Sequence, residues 1–304
     1  LFLLGGAQLQ NRAIPGYVAE TIPPEANGIS RFTPPAVTGL GFLAAVSDQT
    51  LLDLADPDDA DGDGISGRVN YLNAPGYFSP KNWHLPNEQG KYIGRFGKKA
   101  GAIDLLQQTA NAYQQDMGIT SDFNLEDPIN YAIAGQPTDP IADPELPGAT
   151  VQAVVFYLRT LKAPIPRNQD DPEVVKGKQL FAEIGCAKCH LPTLKTGVSD
   201  LEVLSEKEFH PFTDLLLHDM GSGLDDGYTE GIAETFEWRT PPLWGLGLSA
   251  QAQGGDYYLL HDGRAGSINE AILLHGGEGE TSKNAFLQLS ETERAAVLEF
   301  LESL

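Results

Sequence analysis

The sequence has few cysteines, few basic residues and no long apolar run. Only 2 of its 304 residues are cysteine, which excludes a disulfide-rich scaffold and a zinc site built from cysteines alone. Its 20 Lys and Arg residues stand against 42 Asp and Glu residues, which gives a net charge of −22. Because so acidic a chain repels phosphate backbones, we expect no nucleic-acid partner. The expected partners are basic proteins or cations.

Long apolar segments are also missing. The stretches 40–46 and 154–158 are among the longest, and neither approaches the roughly 18 residues of a membrane-spanning helix. We therefore expect no membrane span. The chain begins at Leu1 without a start methionine or a basic leader, so we expect a mature or trimmed product of a longer precursor.

Glycine and proline, by contrast, are abundant, with 33 and 21 residues. They predict long irregular segments between short helices and disfavour a regular bundle or coiled coil. Residues 121–150, which contain Pro137 and Pro140 among other prolines, are predicted to be a loop. Apolar periodicity predicts helices over 103–116, 150–161, 172–184 and 290–304.

Two of these helices suggest how the chain divides into domains. Prolines after residue 161 end the second helix, which places the expected boundary between 1–165 and 166–304. The last helix begins with Ser290 and Glu293 in the pattern of a capping box. Ala, Val, an aromatic residue, Leu and Leu recur at the same offsets in both helices. Either each helix closes a domain of the same type, or the match reflects only shared amphipathic composition.

Both cysteines lie in the pentapeptide CAKCH at 186–190, and Cys-x-x-Cys-His is the attachment signal for c-type haem. Two thiols on one turn can add to the two vinyl groups at one edge of a porphyrin. The adjacent imidazole can then ligate the iron. We therefore predict one covalent haem, with Cys186 and Cys189 forming thioethers and His190 as the proximal ligand.

Two other uses of a Cys-x-x-Cys pair fit this sequence less well. A thioredoxin-type pair needs a strand before it and a helix that starts at it, whereas a predicted helix precedes this pair and a loop follows. A zinc site needs two more ligands at suitable spacing, and the chain has no second cysteine pair. Gly177 and Phe181, in the preceding helix, instead indicate close packing against a flat cofactor.

The second iron ligand is expected on a loop between the motif and the last helix. His275 fits this position best, because it follows a short predicted helix at 268–274 and precedes two glycines that let the backbone approach the ring. Met220 is the rival ligand. A pair of histidines would lower the iron potential relative to a histidine–methionine pair. Other histidines are expected at a turn or at the surface, namely His261, His84 and His210.

An aspartate-rich segment at 59–70 follows the calcium-loop pattern, with carboxylates at positions 1, 3 and 5 and glycine at position 6. The predicted calcium ligands are Asp59, Asp61, Asp63, the Ile65 carbonyl and Asn70. Position 12 carries Asn70 in place of the usual bidentate glutamate, which weakens the expected site unless Asp56 or Asp58 contributes. The alternative interpretation is a solvated acidic turn.

Four segments follow the haem motif in a recognisable order: DLLLHDMG at 214–221, EWRTPPLWG at 237–245, YLLHDGR at 258–264 and EAILLHGG at 270–277. The first half adds GAQLQNRAIPG at 6–16, the aspartate-rich loop, GRFG at 94–97 and DMGIT at 116–120. With these segments nearly the whole chain resembles the di-haem cytochrome c peroxidase/MauG superfamily. The closest resemblance is to its branch of di-haem oxidoreductases that are often labelled thiol oxidoreductases.

The resemblance implies a mainly α fold, with cytochrome c-like domains, long irregular loops and few short strands. Residues 1–165 would hold the remainder of the first domain with a loop-rich insertion, and 166–304 would form the haem domain. It also implies that Arg239, His261 and Arg264 surround the haem. In peroxidase relatives a methionine is commonly the distal ligand in the stretch that carries His275 here. Lys98 stands where we expect tryptophan in this branch.

The family's first haem motif has no counterpart in this chain, so we expect an N-terminal truncation and a second haem in the full-length protein. The resemblance implies a periplasmic oxidoreductase that passes electrons through haem from a small redox protein, such as a basic cytochrome, to a peroxide or another oxidant. The alternative is a non-catalytic c-type cytochrome electron carrier or a haem-bound interaction domain.

Overall fold

The computed structural model describes residues 7–131 and 141–304. Its α-helices in these residues are α1 (Leu40–Ala44), α2 (Asp48–Leu54), α3 (Leu105–Asn111), α4 (Gly148–Thr160), α5 (Pro172–Glu183), α6 (Ser249–Ala252), α7 (Ile268–Leu273), α8 (Glu280–Gln288) and α9 (Glu291–Ser303). The strands form antiparallel pairs: β1 (Asn70–Leu72) with β2 (Tyr92–Gly94), β3 (Leu194–Lys195) with β4 (Glu208–Phe209), and β5 (Leu217–Asp219) with β6 (Glu237–Arg239).

The mainly α class that we predicted is wrong. Helical residues make up 33% and strand residues 9% of the part of the chain that the structure describes, so irregular backbone dominates there. The longest helices, α4 and α9, have only 13 residues each. Glycine and proline explain this outcome, because proline blocks helix continuation and glycine costs more entropy to order than any other residue.

The individual helices follow the sequence more closely. The helices α4, α5 and α9 confirm the predictions at 150–161, 172–184 and 290–304. The helix α3 continues into a π-helical turn at Ala112–Asp116, which confirms the prediction at 103–116. The capping box is also confirmed, because the Ser290 hydroxyl accepts from the Glu293 N–H and the Glu293 carboxylate accepts from the Ser290 N–H.

The predicted loop at 121–150 is irregular from 121 to 131 and from 141 until α4 begins at Gly148. Residues 132–140, with Pro137 and Pro140, lie outside the described residues. Among the residues that the structure describes, every helix is too short or too polar to cross a bilayer.

Two large apolar clusters and one small cluster (Ala100, Leu217 and Ala233) form the core of the described residues. The first packs α1, α2 and the β1–β2 pair against residues from the second half of the chain, among them Leu194, Phe209, Leu215, Leu216 and Trp244. The second packs α5 against α7, α8 and α9. Residues beyond the boundary at 165 therefore contribute to both clusters, and the division into 1–165 and 166–304 stays a prediction.

The crossing of α5 and α9 places the Cys-x-x-Cys-His segment. A Cβ atom on Gly177 would lie 1.9 Å from the carbonyl oxygen of Ala296, so only glycine allows this close approach. Phe181 packs on Phe300 with 5.4 Å between ring centroids. The contact of Gly177 with a flat cofactor that we expected is therefore replaced by a contact with the α9 backbone.

Candidate functional site

The two cysteines lie on a single turn directly after α5. Gly185, with φ of +90°, ends the helix, and Cys186–Lys188 form a 3₁₀ turn. Both thiols are free and half-buried. Burial, with a smaller contribution from Cys189, raises the pKa of Cys186 to about 12. Burial also raises the pKa of Cys189. Thiol–disulfide exchange proceeds through the thiolate, which a raised thiol pKa disfavours.

His190 is held in the tautomer that an iron ligand requires. Its Nδ1 lies 3.1 Å from the Phe212 carbonyl oxygen, and because a carbonyl only accepts, Nδ1 carries the hydrogen. The lone pair is then on Nε2, which hydrogen-bonds to no residue that the structure describes. Burial, followed by the nearby charge of His275, lowers the pKa of His190 to about 4. The imidazole is therefore neutral at pH 7 and able to bind a metal.

His275 has the same arrangement. It follows α7 and its Nδ1 donates to the Ala271 carbonyl at 2.7 Å, which again leaves the lone pair on Nε2. Burial lowers the pKa of His275. His275 is among the groups that lower the pKa of His190, so the two side chains belong to the same part of the fold. Met220, the rival ligand, follows β5, and its N–H donates to the Phe236 carbonyl at 3.0 Å.

A second group of residues beside the motif, which we call the acidic bracket, consists of Asp214, His218 and Glu278. The Nε2 of His218 lies 2.8 Å from Asp214 Oδ2, and its Nδ1 lies 2.6 Å from Glu278 Oε2. The Nδ1 atom is also 3.6 Å from Cys189 Sγ. His218 is only 3% exposed. Burial alone would lower the pKa of His218, but the hydrogen bonds to Asp214, Cys189 and Glu278 raise it well above its ordinary value.

Sequence reasoning did not find the acidic bracket. His218 and Asp214 are four residues apart, but Glu278 is 60 residues further along the chain from His218. The one sequence feature that pointed to this group was the carboxylate of Asp214, four residues before His218 in DLLLHDMG. Nothing in the sequence indicates that Glu278 returns to the same place.

The aspartate-rich loop contacts both the haem motif and the acidic bracket. Lys188 Nζ lies 2.9 Å from Asp63 Oδ2, and the Ser66 hydroxyl donates to the Glu278 carboxylate. A Cβ atom on Gly67 would lie 3.0 Å from Cε1 of His218. The loop therefore packs directly against the second half of the chain.

The structure changes the set of residues that could hold calcium. Carboxylate oxygens of Asp56, Asp59 and Asp61 lie within 4.8 Å of one another. Asn70, in contrast, is 1% exposed, and its amide donates to the carbonyls of Lys99, Ala100 and Glu230 while its oxygen accepts from the Ile232 N–H. The structure therefore contradicts a ligand role for Asn70, because its amide ties backbone segments together.

Of the other predicted calcium ligands, Asp63 Oδ1 accepts from the Ile65 N–H at 2.9 Å. Its other oxygen pairs with Lys188. Asp59 Oδ1 accepts from the Gly64 N–H at 3.1 Å, which fixes the turn of the loop. Calcium binding by Asp59, Asp61, Asp63 and Ile65 stays a prediction.

Arg239 and Lys98 are neighbouring cations, since the Arg239 N–H donates to the Lys98 carbonyl at 2.9 Å. Arg239 Nε donates to the Gly97 carbonyl and Nη1 to the Thr240 carbonyl, both at 2.9 Å. Burial lowers the pKa of Arg239 to about 10, and burial and Arg239 lower that of Lys98 to about 8. Within the described residues, neither has a carboxylate oxygen within 4.0 Å. Both residues are partly buried, and charges removed from water are normally paired, so this place suits an anionic group such as a porphyrin carboxylate.

The turn that carries His261 and Arg264 packs against β6. The His261 ring stacks on Trp238 with 3.6 Å between centroids and 6° between planes, and burial lowers the pKa of His261 to about 4. Arg264 Nε pairs with Asp262 at 2.8 Å and its Nη1 donates to the Gly223 carbonyl. His261 thus lies on a turn, as we expected, and its ring stacks on an indole.

The two histidines predicted at the surface differ. His210 is exposed, as predicted. The prediction for His84 is wrong, because its side chain is 8% exposed and its Nδ1 accepts from the Lys81 N–H at 3.1 Å.

Comparison with known proteins identifies a family over most of the chain. Residues 28–304 match the family model described as "Di-haem oxidoreductase, putative peroxidase". Among solved structures, a chain of hydrazine synthase from Kuenenia stuttgartiensis is 16% identical, and the alignment covers 95% of this chain and 99% of that one. Its TM-score of 0.38 is too low to support an argument about fold or function. No curated protein matches the chain.

Proposed function

Because the chain belongs to the di-haem oxidoreductase family, we propose that it is a periplasmic haem-c oxidoreductase that transfers electrons from a small redox protein to peroxide or another oxidant. When bound, haem supplies one-electron chemistry at its iron. Reduction of hydrogen peroxide to water consumes two electrons and two protons, and the reduced donor protein supplies the electrons.

The protein side of the site follows from the residues described above. Cys186 and Cys189 would hold one porphyrin through thioethers, and His190 and His275 would bind its iron. Arg239, with Lys98 beside it, offers positive charge to the porphyrin carboxylates. The observation that carries the proposal is that His190 and His275 each donate from Nδ1 to a backbone carbonyl. This leaves two neutral imidazoles with Nε2 available.

The proposed domain organisation places this haem in 166–304, with the remainder of a first cytochrome c-like domain in 1–165. The aspartate-rich loop would add a calcium ion next to the haem motif. Its link to the motif through Lys188 and Asp63 supports a structural role for such an ion.

One observation favours the second candidate function, a non-catalytic electron carrier. If both His190 and His275 ligate the iron, no axial position is open for peroxide at this haem. An assay of the haem-loaded protein separates the two functions. It measures how fast peroxide is consumed when a reduced donor protein is present. Steady consumption supports the oxidoreductase, and electron exchange without consumption supports the carrier.

The donor is proposed to be a basic protein, because the chain carries a net charge of −22. Opposite charges steer association, and salt screens that attraction. The association rate with a basic cytochrome should therefore fall steeply as ionic strength rises. A rate that is insensitive to salt would contradict this choice of partner.

The test of the proposed function is a pyridine haemochrome spectrum together with the intact mass of protein matured with haem-attachment machinery. We expect one haem bound through two thioethers. His275→Ala should then change the low-spin spectrum, whereas His210→Ala, at an exposed histidine, should not. A colourless wild-type protein with two free thiols would refute the proposal, and an unchanged spectrum for His275→Ala would point to Met220.

A further inference from the structure

The acidic bracket joins the segment that carries His275 to the segment that carries the haem motif. On one side, the Asp214 N–H donates to the Cys189 carbonyl at 3.0 Å, so Asp214 is fixed to the motif. On the other side, Glu278 lies three residues after His275. His218 bonds to both carboxylates, at 2.8 and 2.6 Å. A single buried side chain therefore connects the two segments.

The turn after His275 is shaped to reach this connection. A Cβ atom on Gly276 would lie 2.9 Å from the Met220 carbonyl oxygen, and one on Gly277 would lie 2.2 Å from the Asp219 carbonyl oxygen. Gly277 has a φ of +53°. The two glycines, which we expected to approach the haem ring, instead let the turn lie backbone to backbone on the end of β5. Glu278 is thereby brought to His218.

The charges of the acidic bracket make this connection strong. A carboxylate only accepts hydrogen bonds, so both ring nitrogens of His218 must carry hydrogens for both bonds to form. The ring is then an imidazolium between two anions. Charge-assisted hydrogen bonds are shorter and about twice as strong as neutral ones. Loss of the ring would leave the carboxylates of Asp214 and Glu278 close together without the cation that compensates their charge, which destabilises the folded protein.

We propose that His218 is a positioning residue that holds the His275 loop against the haem motif by clamping Glu278 to Asp214. This inference rests on the proposed function, since it concerns how long His275 stays bound to the haem iron. His218 itself does not ligate the iron, because both of its nitrogens are committed to the bracket. Without the clamp, the loop opens more often and His275 leaves the iron more often.

Carbon monoxide is a suitable probe, because it binds ferrous haem only after a protein ligand leaves an axial position. We would measure its association rate with the reduced haem-loaded protein for wild type, His218→Gln and Glu278→Ala. The matched control is Glu280→Ala, an exposed carboxylate two residues away whose partner is Lys283 at 3.6 Å. The two bracket variants should bind carbon monoxide about tenfold faster, the effect of roughly 1.4 kcal/mol on loop opening. The control should match wild type.

Equal rates in wild type and in folded, haem-loaded His218→Gln and Glu278→Ala would overturn the proposal. If Glu278→Ala does not fold, Glu278→Gln keeps the shape of the side chain and must show a faster rate in the same direction. A wild-type protein without covalent haem refutes the proposed function itself. That result comes from the mass and spectrum before any rate is compared, so the two failures are distinguishable.

Discussion

Three histidines in the second half of the chain differ in charge state, two of them neutral and one of them protonated. His190 and His275, which we call the ligand pair, donate from Nδ1 to backbone carbonyls and have lowered pKa values. His218, in the acidic bracket, lies between two carboxylates and has a raised pKa. All three rings are removed from bulk water to a large extent.

The difference shows that burial alone does not determine what a histidine does. Burial always favours the neutral imidazole, but nearby carboxylates can outweigh it. A carbonyl partner fixes a neutral tautomer with one free lone pair, which suits a metal ligand. Two carboxylate partners use both nitrogens and leave no lone pair, which suits a structural connection. The partner atoms therefore distinguish the ligand pair from the acidic bracket.

The largest expected effect comes from removing a member of the ligand pair. His190→Ala takes away the proximal imidazole, so the six-coordinate low-spin spectrum should disappear and the yield of covalent haem should fall sharply. Absorption spectra and intact mass measure both quantities. His210→Ala, at an exposed histidine 20 residues along, should leave the spectrum and the haem content at wild-type levels.

One result for His190→Ala would contradict the comparison between the ligand pair and the acidic bracket. If His190→Ala retained a wild-type low-spin spectrum, the carbonyl-bonded tautomer would not identify a ligand. The distinction between the ligand pair and the acidic bracket would then fail.

An intermediate effect is expected on the pH dependence of stability. The pKa of His218 is raised in the folded protein, so its stabilising contribution is fully present below the ordinary pKa of about 6.5 and is lost as pH rises through the raised value. Breaking a buried ion pair costs about 3 kcal/mol. His218→Gln should therefore lower the free energy of unfolding by about 3 kcal/mol near pH 6, and by less at higher pH.

His84 is the matched control, because it is buried with the cations Arg95 and Lys81 nearby in place of carboxylates, and burial lowers its pKa to about 4. Between pH 6.5 and 4 the unfolded chain takes up this proton first, so wild type loses stability relative to His84→Gln as pH falls. Urea unfolding across this pH range measures both variants. Parallel pH profiles for the two variants would contradict the opposite charge states.

The parts of this site that were predictable from the sequence are those built from neighbouring residues. The CAKCH motif, the helix α4 and the Ser290–Glu293 capping box depend on spacings of a few residues, and each was recognised. Glu278 and Asn70 depend on chain segments far away: Glu278 meets a histidine 60 residues distant, and Asn70 bonds a carbonyl 160 residues distant. Asn70 therefore has the spacing of a calcium ligand in the sequence, but in the structure its side chain bonds to backbone groups of distant segments.

The smallest expected effect concerns the aspartate-rich loop, where pattern and structure select different ligands. The pattern selects Asn70, whereas the structure groups Asp56 with Asp59 and Asp61. Calorimetric titration of the haem-loaded protein with calcium should give binding heat that Asp56→Asn and Asp59→Asn both abolish. Asp170→Asn, at an exposed aspartate outside the loop, should leave it unchanged.

At a calcium concentration about ten times the dissociation constant, bound calcium should stabilise the folded protein by about 1.4 kcal/mol. This is less than the roughly 3 kcal/mol expected for His218→Gln, because the gain is set by the ratio of the calcium concentration to the dissociation constant. The loop contacts the acidic bracket and the haem motif through Ser66, Gly67 and the Asp63–Lys188 pair. Absence of binding heat in wild type would favour the solvated acidic turn. Loss of heat in Asp59→Asn but not in Asp56→Asn would favour the ligands of the sequence pattern over those of the structure.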